Sequence, residues 1–88
     1  MKLADFKFNP TQVVLKFSDR YSLSIINNGH GKEHNLYEIA PFVNGQMAEL
    51  PGITNGDTIV GYLSEEEVNA IIKKIVLISG KDPVAEVL

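Results

Sequence analysis

The sequence predicts an α+β domain: an antiparallel sheet of three to five strands packed against one C-terminal amphipathic helix. Three observations carry this expectation. Residues 12–17 and 21–26 alternate with the period of two that half-buried strands need. Residues 64–79 repeat apolar side chains at helical spacing instead. Every strand-like run precedes the helix, an order that suits a helix laid across one face of an antiparallel sheet.

The first run has Val13, Leu15 and Phe17 on one face and Gln12, Val14 and Lys16 on the other. The second sets Tyr21, Leu23 and Ile25 against Ser22, Ser24 and Ile26. Between them Ser18-Asp19-Arg20 suits a tight turn. A third run, Leu36 to Phe42, places Tyr37 and Ile39 opposite Glu38 and Ala40. Pro41 has no amide hydrogen, so this strand must be an edge or bend there. Asn44-Gly45 reads as a two-residue hairpin turn into a strand from Gln46 to Leu50. Pro51-Gly52 and Asn55-Gly56 mark a loop, and Thr58 to Leu63 reads as a last strand. Phe6-Lys7-Phe8 is expected to be a short edge strand ended by Asn9-Pro10.

The helix carries its own boundaries. Ser64 and Glu67 form a capping box, in which hydroxyl and carboxylate each satisfy an amide of the first turn. Glu65, Glu66 and Glu67 sit where the helix dipole favours anions. Val68, Ile71, Ile72 and Ile75 make the apolar stripe, and Gly80 is placed to end the helix. Ile75-Val76-Leu77-Ile78 are apolar around most of the last turn. Burying each such side chain contributes roughly 1.5 to 3 kcal/mol, so a cover is expected on the second side. Two covers are open: a tail helix capped by Asp82 with Pro83 in its first turn, or a second copy of the chain.

The 88 residues fit one domain, with the sheet at about 5–62, the helix at about 64–79 and a tail at 80–88. Without cysteine there are no disulfides, thiol nucleophiles or thiolate metal sites, and a reducing cytoplasm is the expected setting. No leader-like or membrane-spanning apolar run is visible. From Glu33 to Ile72 there is no Lys or Arg, whereas seven acidic residues fall there. Binding to a phosphate backbone needs clustered cations, so nucleic acid is not an expected partner.

One pattern touches catalysis. His30-Gly31-Lys32-Glu33-His34 spells the inverted zinc-protease motif, whose chemistry needs two histidines on one helical face and a third ligand. Gly29 and Gly31 place these residues in a loop between strands, so a metal-dependent hydrolase is only a remote alternative. The same glycines match neither a dinucleotide nor a phosphate-loop fingerprint. No nucleophile elbow or triad spacing is present, and helix capping accounts for the three glutamates better than acid/base work does. The aromatic residues lack interleaved cations and read as core rather than a base-stacking platform. No enzyme activity, cofactor or metal site is expected.

The runs Tyr21-Ser22-Leu23-Ser24-Ile25, Leu36-Tyr37-Glu38-Ile39-Ala40 and Gly61-Tyr62-Leu63-Ser64-Glu65-Glu66-Glu67-Val68 resemble "YGLSI", "LYEVAVL" and "GYLSEEEV" segments of small accessory proteins of tailed bacteriophages and prophages. The likeness spans roughly residues 12–78 and identifies no active site. The chain departs from it at Pro41-Phe42 and in its longer tail. The resemblance implies a protein of the host cytoplasm that binds and blocks a host protein, including defence systems such as CRISPR-Cas.

The favoured expectation is therefore a non-enzymatic binding protein. The candidate partner-binding residues are His30, Lys32, Glu33 and His34 in the loop, Phe42 near an open edge, and Glu49 and Asp57 in the acidic stretch. The alternative is a self-assembling structural component, a homodimer among its forms, joined through Val76, Leu77 and Ile78.

Overall fold

The centre of the molecule is a hairpin of β1 (Gln12–Lys16) and β2 (Tyr21–Ile26), in a computed structural model that describes residues 2–27 and 36–86. The Ser18 hydroxyl closes the turn by accepting the amides of Arg20 and Tyr21, each at 3.2 Å. β3 (Tyr37–Val43) runs antiparallel to the free side of β2, with Ile25 opposite Ile39 and Leu23 opposite Pro41. The expected Asn44-Gly45 turn is present with both φ angles positive, 53° and 80°, the geometry that suits a two-residue hairpin. It leads into β4 (Gln46–Met47). β5 (Val60–Leu63) pairs with the other half of the same edge of β3. The short β6 (Val84–Ala85) completes the sheet on the far side of β1. Among the described residues the order across the sheet is thus β4 and β5, then β3, β2, β1 and β6.

Pro41 lies inside β3 and is buried, and the pairing shows why it is tolerated. The Asn44 amide donates to the Arg20 carbonyl at 2.7 Å, which fixes the phase of the β2–β3 ladder. In that phase Leu23 and Pro41 form a non-hydrogen-bonded pair. The proline nitrogen faces the outer edge, where the Ala48 amide donates to the Pro41 carbonyl at 3.0 Å and no bond returns, so the cost is one bond at the end of the short β3–β4 ladder and not a break in the β2–β3 pairing.

The helix α1 (Glu65–Ser79) forms as its boundary signals require. The Ser64 hydroxyl accepts the Glu67 amide at 3.1 Å, and the Glu67 carboxylate accepts the Ser64 amide at 3.0 Å. Gly80, at φ 75°, ends the helix and donates to the Val76 carbonyl at 2.8 Å. Val68, Ile71, Ile72 and Ile75 are buried against Val13, Leu15, Leu23, Ile25 and Ile39, the inward-facing residues of the three central strands. Asn69 ties down the start of the chain: its side-chain oxygen accepts the Leu3 amide at 2.7 Å. Among the described residues no helix is long and apolar enough to cross a membrane.

The structure departs from the local sequence pattern at four places. Phe6-Lys7-Phe8 is not a strand; it follows a short 3-10 helix, Leu3–Asp5, and its aromatic rings pack on the rim of the core. The strand after Asn44-Gly45 stops at Met47, because the next partner is Pro41, which accepts the Ala48 amide but has no N–H to return; a turn then begins at Leu50, whose carbonyl accepts the amides of Ile53 and Thr54. The last strand starts at Val60 rather than Thr58. The tail does not form a helix over the end of α1. Pro83 is buried, and Val84 and Ala85 pair with Lys16 and Leu15, because the open edge of β1 offers backbone groups that need partners. Through Glu86, which donates to the Val14 carbonyl at 2.8 Å, the tail follows β1 and leaves Leu77 exposed.

Candidate functional site

Two surfaces stand out once the core is accounted for. The first is the outer face of the sheet. Since Val13, Leu15, Leu23, Ile25 and Ile39 point to α1, period-two alternation sends their neighbours to the opposite face. The register aligns one row across five strands: Val84, Lys16, Ser22, Phe42 and Met47. The next row holds Val14, Ser24 and Ala40. Short side chains lie in the middle of the face at Ser22, Ala40 and the buried Ser24, flanked by Lys16 on the β1 side and by Phe42 on the β3 side, with Val84 and Met47 at the two margins. Met47 is 44% exposed and Val84 is 64% exposed, while Phe42 is half-buried between its neighbours. The Ser24 hydroxyl accepts the Gln12 side-chain amide at 2.8 Å, so the floor is polar but satisfied.

The second surface lies at the end of α1. Val76 packs partly on the core, but Leu77 is 76% exposed and Ile78 is 50% exposed. They flank a shallow apolar notch with Pro51 and the buried Ile53. The Lys74 ammonium donates to the Gly52 carbonyl at 2.9 Å, so its stem lies over the notch and fixes the loop beside the helix.

The sequence-predicted site residues are dispersed. His30, Lys32, Glu33 and His34 lie outside the described residues. Phe42 does not border an open edge, because β4 pairs there with Met47 opposite Phe42; its side chain belongs to the outer sheet face. Glu49 and Asp57 are exposed on the turn-rich segment between β4 and β5, and Asp57 is engaged in its own turn, accepting the Thr58 amide at 2.7 Å. The self-association trio splits, with Leu77 and Ile78 on the surface and Val76 largely against the core. Met47, Val14 and Val84 were missed as surface residues. The alternation of β1 points to Val14, but the pairing of Val84 with β1 has no local signal.

The electrostatics offer little chemistry. Burial, and secondarily the negative charge of Glu65, raises the Tyr37 phenol above its ordinary range. Phe8 packs against this ring with centroids 5.9 Å apart, so Tyr37 is a packing residue at the rim of the core. Lys16 and Asp19 form an exposed ion pair at 3.7 Å, which contributes little to stability. Among the described residues no group of three His, Asp or Glu side chains is placed to hold a metal ion. Comparison with protein-family models, with curated proteins and with solved structures finds no match.

Proposed function

We propose that this chain is a non-catalytic binding protein that acts by covering a surface of a protein partner with the outer face of its sheet. The observation that supports this reading most is the row from Val84 to Met47. It sets the exposed apolar Val84 and Met47 at the two margins of a face whose interior holds Lys16, Ser22, Ala40 and Phe42. Such a face can receive an apolar projection in the middle and close around it with Phe42 and Met47. Apolar side chains such as Phe42 and Met47, once buried against a partner, carry most of the energy in protein interfaces.

The phage-like runs at residues 21–25, 36–40 and 61–68 support a narrower form of the reading. In it the chain works in the host cytoplasm and blocks a host protein, a defence component among the candidates. A second reading, self-assembly, is favoured by the exposure of Leu77 and Ile78.

The test is comparative affinity capture from host extract. Wild-type bait is set against a bait carrying Met47→Glu and Val84→Glu, both at exposed positions. A stoichiometric partner held by the first and lost by the second supports the reading. A partner held equally by both, or by neither, contradicts it.

A further inference from the structure

We propose that the outer face of α1 docks a second copy of this chain in antiparallel orientation, with Ala70 at the two-fold axis and Glu66 of each copy against Lys73 of the other. The inference uses the side of the molecule opposite the sheet face and stands or falls independently of that reading.

Glu66, Ala70, Lys73 and Leu77 are exposed, and their intervals of four, three and four residues place them in one seam along the pole opposite the core stripe. The seam is charged and small in its middle and apolar at its C-terminal end. Its charges lie at nearly equal distances from Ala70: Glu66 precedes it by four residues and Lys73 follows it by three, a mismatch of about 1.5 Å along the helix.

Neither charge has an ion-pair partner among the described residues. Glu66 and Lys73 are two turns apart, about 10 Å along the axis, too far to pair with each other. Among the described residues the ion pair found joins Lys16 and Asp19. The helix dipole favours Glu66 in the first turn, but it does not account for Lys73, since the last turn holds no basic residue. The flanking Glu67 and Lys74 differ: each has a hydrogen-bond partner in its own chain.

An antiparallel copy supplies what is missing. A two-fold axis at Ala70 reverses height along the helix and keeps each flank facing its own equivalent. Glu66 then meets Lys73 twice, once on either side of the axis. Alanine at the crossing allows the helices to approach at the short end of the usual 8–10 Å range. Leu77 of each copy is carried past the other's Glu66, toward the segment before its helix, where Tyr62 is 63% exposed. A parallel copy would set Glu66 on Glu66 and Lys73 on Lys73, so charge selects the antiparallel form. The contact strip is about 22 Å long for a helix of 15 residues, which makes a modest interface and a dimer of micromolar rather than nanomolar strength.

Sedimentation equilibrium of the full chain tests this. The wild type is expected to dimerise, more weakly as salt is raised. Glu66→Lys alone and Lys73→Glu alone should each weaken the dimer roughly 10- to 100-fold, because each converts two attractions into two repulsions. The double variant E66K/K73E should regain wild-type affinity to within about threefold. Ala70→Arg should abolish the dimer. These positions are exposed, so circular dichroism should show every variant folded. A wild type that stays monomeric at millimolar concentration overturns the proposal. So does a double variant no stronger than the singles, since association would then not depend on this charge register.

Discussion

Ala85 stands opposite Leu15 in the sheet, so the C-terminal tail is a sixth strand and not a lid on the helix. The pairing buries Pro83 and satisfies the outer edge of β1, which would otherwise be open to other chains. Deleting residues 81–88 should therefore cost about 2 kcal/mol, from the lost burial of Pro83 and the lost ladder bonds. For a domain of this size that lowers the melting temperature by roughly 8 to 16 °C. Calorimetry checks it. A tail that merely covered Leu77 and Ile78 would instead give increased association on deletion with little loss of stability.

The capping box gives a smaller and more local expectation. Ser64→Ala removes the acceptor of the Glu67 amide and should cost about 1 kcal/mol. Glu67→Gln keeps an acceptor for the Ser64 amide and should cost less. Urea unfolding of the two variants ranks them.

This helix was the most legible part of the sequence, because its signals are local. Ser64, Glu67 and Gly80 act within one turn of themselves, and the stripe from Val68 to Ile75 has one sensible face. The β1–β2 hairpin and the Asn44-Gly45 turn were legible for the same reason. Phe6-Lys7-Phe8 and the tail were not. Their conformations are set by partners far along the chain: Asn69 for Leu3, Tyr37 for Phe8, and β1 for Val84 and Ala85. The outer sheet face was half legible. Alternation marks Ser22, Ser24 and Phe42 as neighbours, but only the register brings Met47 and Val84 into their row.

Ile72 and Leu77 lie five residues apart on α1 and should respond in opposite ways. Ile72 is fully buried, and Ile72→Ala should cost about 2 to 5 kcal/mol, a large share of the stability of a domain this small. Leu77 is mostly exposed, so Leu77→Ser should change the stability of the monomer by less than about 0.5 kcal/mol. Denaturant titration at low protein concentration separates the two. A large loss for Leu77→Ser would mean that this side chain is packed in the isolated chain.

Tyr37 makes a pH prediction. Its folded-state value is raised, by burial first and Glu65 second, so the folded state holds the phenolic proton more tightly than the unfolded state does. The stabilising contribution is full below the ordinary tyrosine value of about 10 and is lost as pH rises through the folded value. Alkaline unfolding should therefore begin above pH 10 with a component that Tyr37→Phe removes. Glu65→Gln should lower the Tyr37 transition, followed by phenolate absorbance.

As proposed, the chain has two opposed binding surfaces, the sheet face for a partner and the helix face for a second copy. Native mass spectrometry of the tagged chain captured from cell extract, with the eluted chain held well above micromolar concentration, tests both at once. The expected result is two copies of the chain with bound partner, reduced to the bare dimer when Met47→Glu and Val84→Glu are introduced. A bare dimer from the wild type would contradict the partner surface, a partner bound to single copies would contradict the helix pairing, and a bare monomer would contradict both.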